Sequence, residues 1–246
     1  MKGVILAGGT GSRLFPLTRI TNKHLLPIYD QPMVNYAIEA LVTAGISELM
    51  LVSGGTHAGE FFRLLGNGED FGIDRLQYAY QESSGGIAEA LSLAEKFVEG
   101  DRVCVMLADN ILEHTITTAV KNFETQQAGA RVLLADIGDP LHLRHLGVPI
   151  IENNKIISIE EKPEEPKSQY AVTGIYFYPA DVFQIIPDLV PSQRGELEIT
   201  DVNNHYASNG QLEYDVIDGF WGDAGESIDA YYAVNDFVRT NGANKG

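Results

Sequence analysis

The stretch GVILAGGTGSRLFPLT, residues 3–18, sets a short apolar run, Val4-Ile5-Leu6-Ala7, directly against Gly8-Gly9-Thr10-Gly11-Ser12-Arg13. Apolar residues ended by glycines read as a buried strand that turns sharply at its carboxyl end. Open α/β sheets bind ligands at that end. Glycines without Cβ let backbone N–H groups approach phosphate oxygens. Neither common nucleotide fingerprint fits. A dinucleotide loop would carry a third glycine where Leu14 stands, and a Walker A loop would end in Gly-Lys-Ser/Thr, where the chain has Gly11-Ser12-Arg13. Arg13 offers a planar fork of donors suited to pyrophosphate oxygens. Taken alone, the loop reads equally as a phosphate cradle and as a tight turn whose glycines serve packing.

Outward from this loop, strand-like and helical patterns alternate. Residues 32–44 place Met33, Tyr36, Ala37, Ala40 and Leu41 at helical spacing, with Pro32 at the start and Gly45 at the stop. Glu48–Ser53 is an apolar run closed by Gly54-Gly55. That strand–helix–strand unit predicts a parallel sheet with right-handed crossovers. The pattern continues with a strand at 76–81, a helix at 86–98, a strand at 103–107, a helix at roughly 115–127 and a strand at 131–137. Beyond it, runs at 148–151 and 156–159 flank Asn153-Asn154, a hairpin signal. Strands follow at 170–178 and 212–217, and an amphipathic helix at 226–240. No linker or repeat interrupts the chain. The expectation is one α/β domain over 1–246: a Rossmann-like three-layer sandwich with a mixed, mostly parallel central sheet and an antiparallel insertion.

Composition narrows the partners. The 246 residues are 44% hydrophobic and 21% charged, enough for a sizeable core without charge blocks. Against 17 Lys and Arg stand 34 Asp and Glu, a formal net charge of −17. A nucleic-acid backbone needs clustered cations, so nucleic acid is excluded, and an anionic membrane with it. A few basic residues can still make one cationic cleft for a small anion. The single cysteine, Cys104, lies in an apolar run and reads as a buried core thiol. No signal segment or spanning run is apparent, so a soluble, cytoplasmic protein is expected. His142 and His145 are spaced i, i+3, yet no third ligand stands near, and a zinc site is rejected.

The continuation of the glycine loop changes the odds. Arg13-Leu14-Phe15-Pro16-Leu17-Thr18 and Asn22-Lys23-His24-Leu25-Leu26-Pro27 resemble the opening of the sugar nucleotidyltransferases. So do Tyr29-Asp30-Gln31-Pro32-Met33, Gln81, Gly85-Gly86, Asp109-Asn110, Glu160-Glu161-Lys162-Pro163, Tyr170–Gly174, Arg194–Asp201 and Trp221–Gly225, in order along nearly the whole chain. The resemblance implies attack of a sugar 1-phosphate on a nucleoside triphosphate, with release of pyrophosphate. It points to dTTP and glucose 1-phosphate as substrates, with UTP or another sugar phosphate as the alternative, and a non-catalytic nucleotide-sugar sensor as a third reading. It implies Mg²⁺ as the cofactor, held by Asp109 and Asp223; magnesium suits one or two carboxylates together with phosphates.

By the same resemblance, Leu6, Gly8, Gly9, Thr10, Gly11, Ser12, Arg13, Lys23, Gln81, Gly86 and Asp109 bind the nucleotide, with Gln81 meeting the base through an amide that both donates and accepts. Gly147, Glu161, Lys162 and Val172 bind the sugar phosphate. Arg13, Lys23, Asp109 and Lys162 carry the catalysis. The front half, about 1–137, then serves the nucleotide, and about 138–225 serves the sugar phosphate and completes the metal site. Three departures stand out: Ala108 where glycine is usual, a longer stretch at 140–147 with Leu146 in place of an aromatic, and Glu226-Ser227 after the Asp-Ala-Gly turn. A homo-oligomer is allowed for, although the chain stops soon after its last helix, where longer relatives carry further helices that shape an oligomer contact and a feedback site.

Overall fold

The computed structural model describes residues 1–246 as an α/β protein with a mixed sheet. Its residues gather into two compact units. The first comprises Met1–Ser84, Met106–Thr118 and Asp218–Gly246; the second comprises Gly85–Val105 and Ala119–Ile217.

In the first unit the strands Lys2–Ala7, Glu48–Gly54 and Arg75–Gln81 run parallel. Lys2–Ala7 is buried along its whole length, as an apolar run in a parallel sheet should be. Pairing Ala7 with Ser53 and Gly54 with Gln81 brings three strand ends to one edge, with Gly8 following directly. The helix Met33–Thr43 packs against the first strand and stops before Gly45, whose φ of +89° suits only glycine well. A core of Leu14, Ile28, Met33, Tyr36, Ile111, Ala224, Tyr231, Val234 and Val238 joins this helix to the terminal helix Ile228–Asn241. Ser227 caps that last helix by accepting the Ala230 N–H at 3.0 Å. The short strands Asn110–Leu112 and Trp221–Asp223 pair antiparallel.

In the second unit the strand Tyr170–Tyr178 pairs antiparallel with both Ala130–Asp136 and Gly147–Glu152. Leu212–Val216 runs parallel to Ala130–Asp136. Gly147–Glu152 and Lys155–Glu161 form the expected hairpin, its two asparagines at φ +49° and +60° as a tight primed turn requires. Cys104 is fully buried, and burial pushes its thiol upward, away from reactivity.

Three stretches depart from the sequence reading. The helix expected over 86–98 is two short helices, Ile87–Ser92 and Glu95–Val98. The Ser92 hydroxyl takes the Glu89 carbonyl at 2.7 Å, and the Ala94 N–H bonds three residues back to Leu91 at 2.9 Å. Both interrupt the helical ladder. The 140–147 stretch begins with a short helix, Pro140–Leu143, capped by Asp139, rather than an open loop. Helices Ala58–Leu65 and Ile199–Ser208 were not anticipated. No helix is long and apolar enough to cross a membrane.

Leu14 is fully buried and ties the turn after the glycine loop to the first unit's core. Leu14→Ala is expected to cost about 2–5 kcal/mol, read as a lowered midpoint in chemical denaturation.

Candidate active site

The glycine loop follows the first strand as a tight backbone path. Gly9 has φ +94° and nothing within 4 Å of where a Cβ would stand. Gly11 is left-handed at φ +63°, and its carbonyl accepts from the Leu14 N–H at 3.0 Å and the Thr18 hydroxyl at 2.9 Å. A Cβ there would stand 2.8 Å from Thr18, so both conformation and space demand glycine. The loop then enters a single turn, Ser12–Leu14, that buries Leu14 and leaves Ser12 and Arg13 exposed. The Gln81 amide oxygen lies 3.3 Å from the Cβ position of Gly8. Leu6 is buried and accepts the Ala108 N–H at 3.0 Å, which holds Asp109 at the end of its strand.

Asp109 and Asp223 lie more than a hundred residues apart in sequence, yet their short strands are partners. Asp223 faces Asn110 in register, and the Ala224 N–H bonds the Asp109 carbonyl at 2.9 Å. Trp221 fixes the pair by donating its indole N–H to Asn110 at 2.6 Å. The two carboxylates then converge. A Cβ at Gly225 would stand 2.5 Å from Asp109 Oδ2, 2.8 Å from Lys23 Nζ and 3.2 Å from Asp223 Oδ1. The glycine therefore leaves a cradle lined by two hard oxygen donors and one ammonium.

Lys23 reaches this cradle from the one-turn helix Lys23–Leu25, which Asn22 caps by accepting the His24 N–H at 2.9 Å. Its Nζ lies 2.5 Å from Asp109 Oδ2. Burial pushes the Asp109 carboxyl up, but the charge and hydrogen bond of Lys23, with His24 and a backbone hydrogen bond, together hold it well below the usual carboxylate range. Asp223 goes the other way. Burial first, and then the Asp109 charge, raise it to about 7, although Lys23 and Arg13 oppose this and the Gly225 N–H donates to Oδ1 at 2.8 Å. A carboxylate kept costly by its neighbour's like charge is one that a divalent cation would relieve. The donor set fits Mg²⁺, which takes carboxylate oxygens and leaves room for phosphate.

His24 sits behind Asp109 and was passed over in the sequence reading. Its Nδ1 lies 2.9 Å from Asn22 Oδ1, and Nε2 lies 3.9 Å from Asp109 Oδ2. Burial, then the Lys23 charge, lower it to about 3, so it is neutral at the carboxylate's back. Gly225 was also missed as a determinant. The signal was in the Asp-Ala-Gly run, but only folding shows what the absent side chain makes room for.

The second unit holds the other group of candidates. Register pairs Gly147 with both Glu161 and Val172, so the three meet across adjacent strands. A Cβ at Gly147 would lie 3.5 Å from Glu161 Oε2. Thr200, unanticipated, donates to that same oxygen at 3.0 Å. Lys162 has φ +50° although it precedes proline, which favours extended backbone. Its N–H bonds the Leu146 carbonyl at 3.0 Å, and that contact holds the left-handed turn. Its ammonium is half exposed, 3.9 Å from Glu161 Oε1, and remains available to an anion. Gly86, at φ +99°, is close-packed: a Cβ would stand 2.5 Å from the Leu197 carbonyl.

Known proteins resemble this chain along nearly its whole length. The sequence profile of the nucleotidyl transferase family matches residues 2–241. A glucose-1-phosphate thymidylyltransferase of Neisseria meningitidis is 42% identical over 243 residues, 98% of this chain and 83% of its own. A crystal structure described as a glucose-1-phosphate thymidylyltransferase of Bacillus anthracis, in complex with sucrose, shares 49% identity with a TM-score of 0.91, over 97% of this chain and 95% of that one. A UDP-glucose pyrophosphorylase, at 23% identity, shares the fold with a TM-score of 0.85 over 97% of this chain and 98% of its own.

Gly225→Ala puts a methyl group into the cradle without demanding a forbidden backbone. Divalent-metal binding, followed by calorimetry with Mn²⁺, is expected to weaken at least about tenfold, because Asp109 Oδ2 and Asp223 Oδ1 must part to admit the methyl group. Asp223→Asn removes the like-charge repulsion, so its melting temperature without metal is expected to exceed that of the native protein, while added metal no longer raises it.

Proposed function

We infer the reaction from one premise: this chain belongs to the nucleotidyl transferase family. Within it, the chain transfers a thymidylyl group from dTTP to glucose 1-phosphate, giving dTDP-glucose and pyrophosphate. The observation that carries this reading is the Asp109–Asp223–Lys23 cradle in a chain about two-fifths identical to glucose-1-phosphate thymidylyltransferases.

The bond formed joins a glucose 1-phosphate oxygen to the α-phosphorus of dTTP, and the bond broken releases the β,γ-phosphates as pyrophosphate. The attacking oxygen is already anionic at neutral pH, so no side chain need take a proton. The difficulty is bringing two polyanions together and stabilising charge on the leaving group, which calls for positioning and fixed cations. Arg13 and Lys23 meet the triphosphate and neutralise the departing pyrophosphate. Lys23 leaves Asp109 in part for the phosphates, since the same ammonium can serve both. Mg²⁺, held by Asp109 and Asp223, would supply charge neutralisation at the α-phosphate. The backbone of Leu6 and of Gly8 to Ser12 lines the nucleotide, and the Gln81 amide, beside Gly8, matches the donor and acceptor edge of thymine. Gly86 keeps the neighbouring backbone close to the base.

Glu161, with the backbone at Gly147 and Val172, binds the sugar hydroxyls, and Lys162 orients the attacking phosphate. The front part, about 1–137, and the part at about 138–225 thus serve one reaction as a single functional domain. With a nucleoside triphosphate as substrate, the place of action is the cytoplasm.

Pyrophosphate release with Mg²⁺ and glucose 1-phosphate, compared across dTTP, UTP, CTP, ATP and GTP, tests the reading. Turnover is expected to be strongest with dTTP and abolished by chelation; release with UTP alone would replace dTTP as the substrate. Asp109→Asn is expected to lose at least about a hundredfold in kcat, in line with removal of one electrostatic group, while metal-free dTTP binding changes little. Near-normal turnover in that variant would remove Asp109 from the mechanism.

A further inference from the structure

We propose that Asn204 is a positioning residue for the sugar-phosphate group: its carboxamide clamps both backbone groups of Ile159 and thereby sets where Glu161 and Lys162 stand. The proposal rests on the preceding reading for the substrate that Glu161 and Lys162 bind.

The strand Lys155–Glu161 lies at the end of its sheet, paired only with Gly147–Glu152. Ile159 faces Pro149 at a position of the ladder where its own N–H and C=O point away from the neighbouring strand. The N–H and C=O of Ile159 are satisfied from the helix Ile199–Ser208. The Ile159 N–H donates to Asn204 Oδ1 at 2.7 Å, and Asn204 Nδ2 donates to the Ile159 carbonyl at 3.0 Å. A carboxamide carries donor and acceptor in one plane, so this side chain stands in for a residue of a missing neighbour strand. An open edge would otherwise leave those groups to water and the strand end free to shift.

Two features make the clamp matter to the site. The register slips between Ile156 and Ser158, a bulge that loosens the strand upstream of the clamp. Only two residues downstream comes Glu161, whose Oε2 accepts the Thr200 hydroxyl. Thr200 and Asn204 are one helical turn apart on one face, so a single helix holds both the backbone and the carboxylate. The helix is itself a firm reference. Ile199, Val202 and Tyr206 are buried, and Asn203 accepts the buried Tyr178 hydroxyl at 2.6 Å. Asn204 transfers that rigidity to the strand that leads into the left-handed Lys162.

The test compares native protein with Asn204→Ala and Asn204→Asp by amide hydrogen exchange at Ile159 and by steady-state kinetics with dTTP and glucose 1-phosphate. In the alanine variant, exchange at Ile159 and the KM for glucose 1-phosphate are each expected to rise about tenfold, as loss of two modest hydrogen bonds implies. The KM for dTTP should stay within about twofold, a split that general destabilisation would not produce. The aspartate variant is isosteric and keeps the acceptor, but sets an oxygen against the Ile159 carbonyl, so it should show the same split; it also carries the test should the alanine variant not fold. Unchanged exchange at Ile159, or equal shifts in both KM values, overturns the clamp. Native protein inactive with this substrate pair would instead refute the thymidylyl reading. The exchange arm and the kinetic arm with whichever pair the native protein turns over then still decide the clamp.

Discussion

Two carboxylates, one buried and one half-buried, that cannot comfortably be charged together are the constraint around which the first unit is built. Asp109 directly precedes one short strand and Asp223 ends another, and the pairing of Asn110–Leu112 with Trp221–Asp223 forces them to meet. Between them, Ala224 is fully buried in the core with Leu14, Met33 and Tyr231, so the turn carrying Asp223 cannot swing away to relieve the repulsion. Lys23 offsets part of it, and the absent side chain of Gly225 keeps the space between the charges clear. Such an arrangement is expensive unless a cation or a polyphosphate completes it, and perturbed carboxyls of this kind concentrate where chemistry is done. Fold and chemistry are therefore coupled: the same core that stabilises the unit holds the charges in place.

In the proposed reaction the second unit meets a different requirement, recognition of a neutral, hydroxyl-rich ring beside an anion. It uses the register of antiparallel strands, in which Gly147, Glu161 and Val172 are brought together by pairing alone. Strand register is a precise ruler because a slip of one residue turns every side chain to the other face. Here the ruler is read against a helix, through Thr200 on the carboxylate and Asn204 on the backbone. The strained turn at Lys162 then gives the ammonium a direction that an ordinary strand end would not.

Much of this fold was legible because burial leaves a periodic mark. Apolar runs ended by glycine gave the parallel strands nearly to the residue, and Tyr170–Tyr178 and Val103–Leu107 lie where their patterns put them. The helix Ile199–Ser208 escaped notice because part of its buried face is polar. Asn203 is almost completely buried, and only the Tyr178 hydroxyl across the core makes that tolerable. Ala58–Leu65 escaped because eight residues carry little periodic signal. The split of the helix over 86–98 accompanies a serine hydroxyl bonded to the Glu89 carbonyl and a three-residue backbone bond from Ala94 to Leu91, choices that local propensity does not record.

By itself the sequence determined the class of the fold, the glycine loop after the first strand and, through its ordered motifs, the family. Those properties depend on composition, spacing and period, which are local and additive. Only the tertiary structure decided that Asp109 and Asp223 share one cradle with Lys23, that Gly225 is the residue leaving it open, that His24 is buried neutral behind it, and that Thr200 and Asn204 hold Glu161 and its strand. Each of these is a contact between segments far apart in the chain. Their distances, and the charge shifts that follow from them, come into being only when strand pairing and core packing close the loops between.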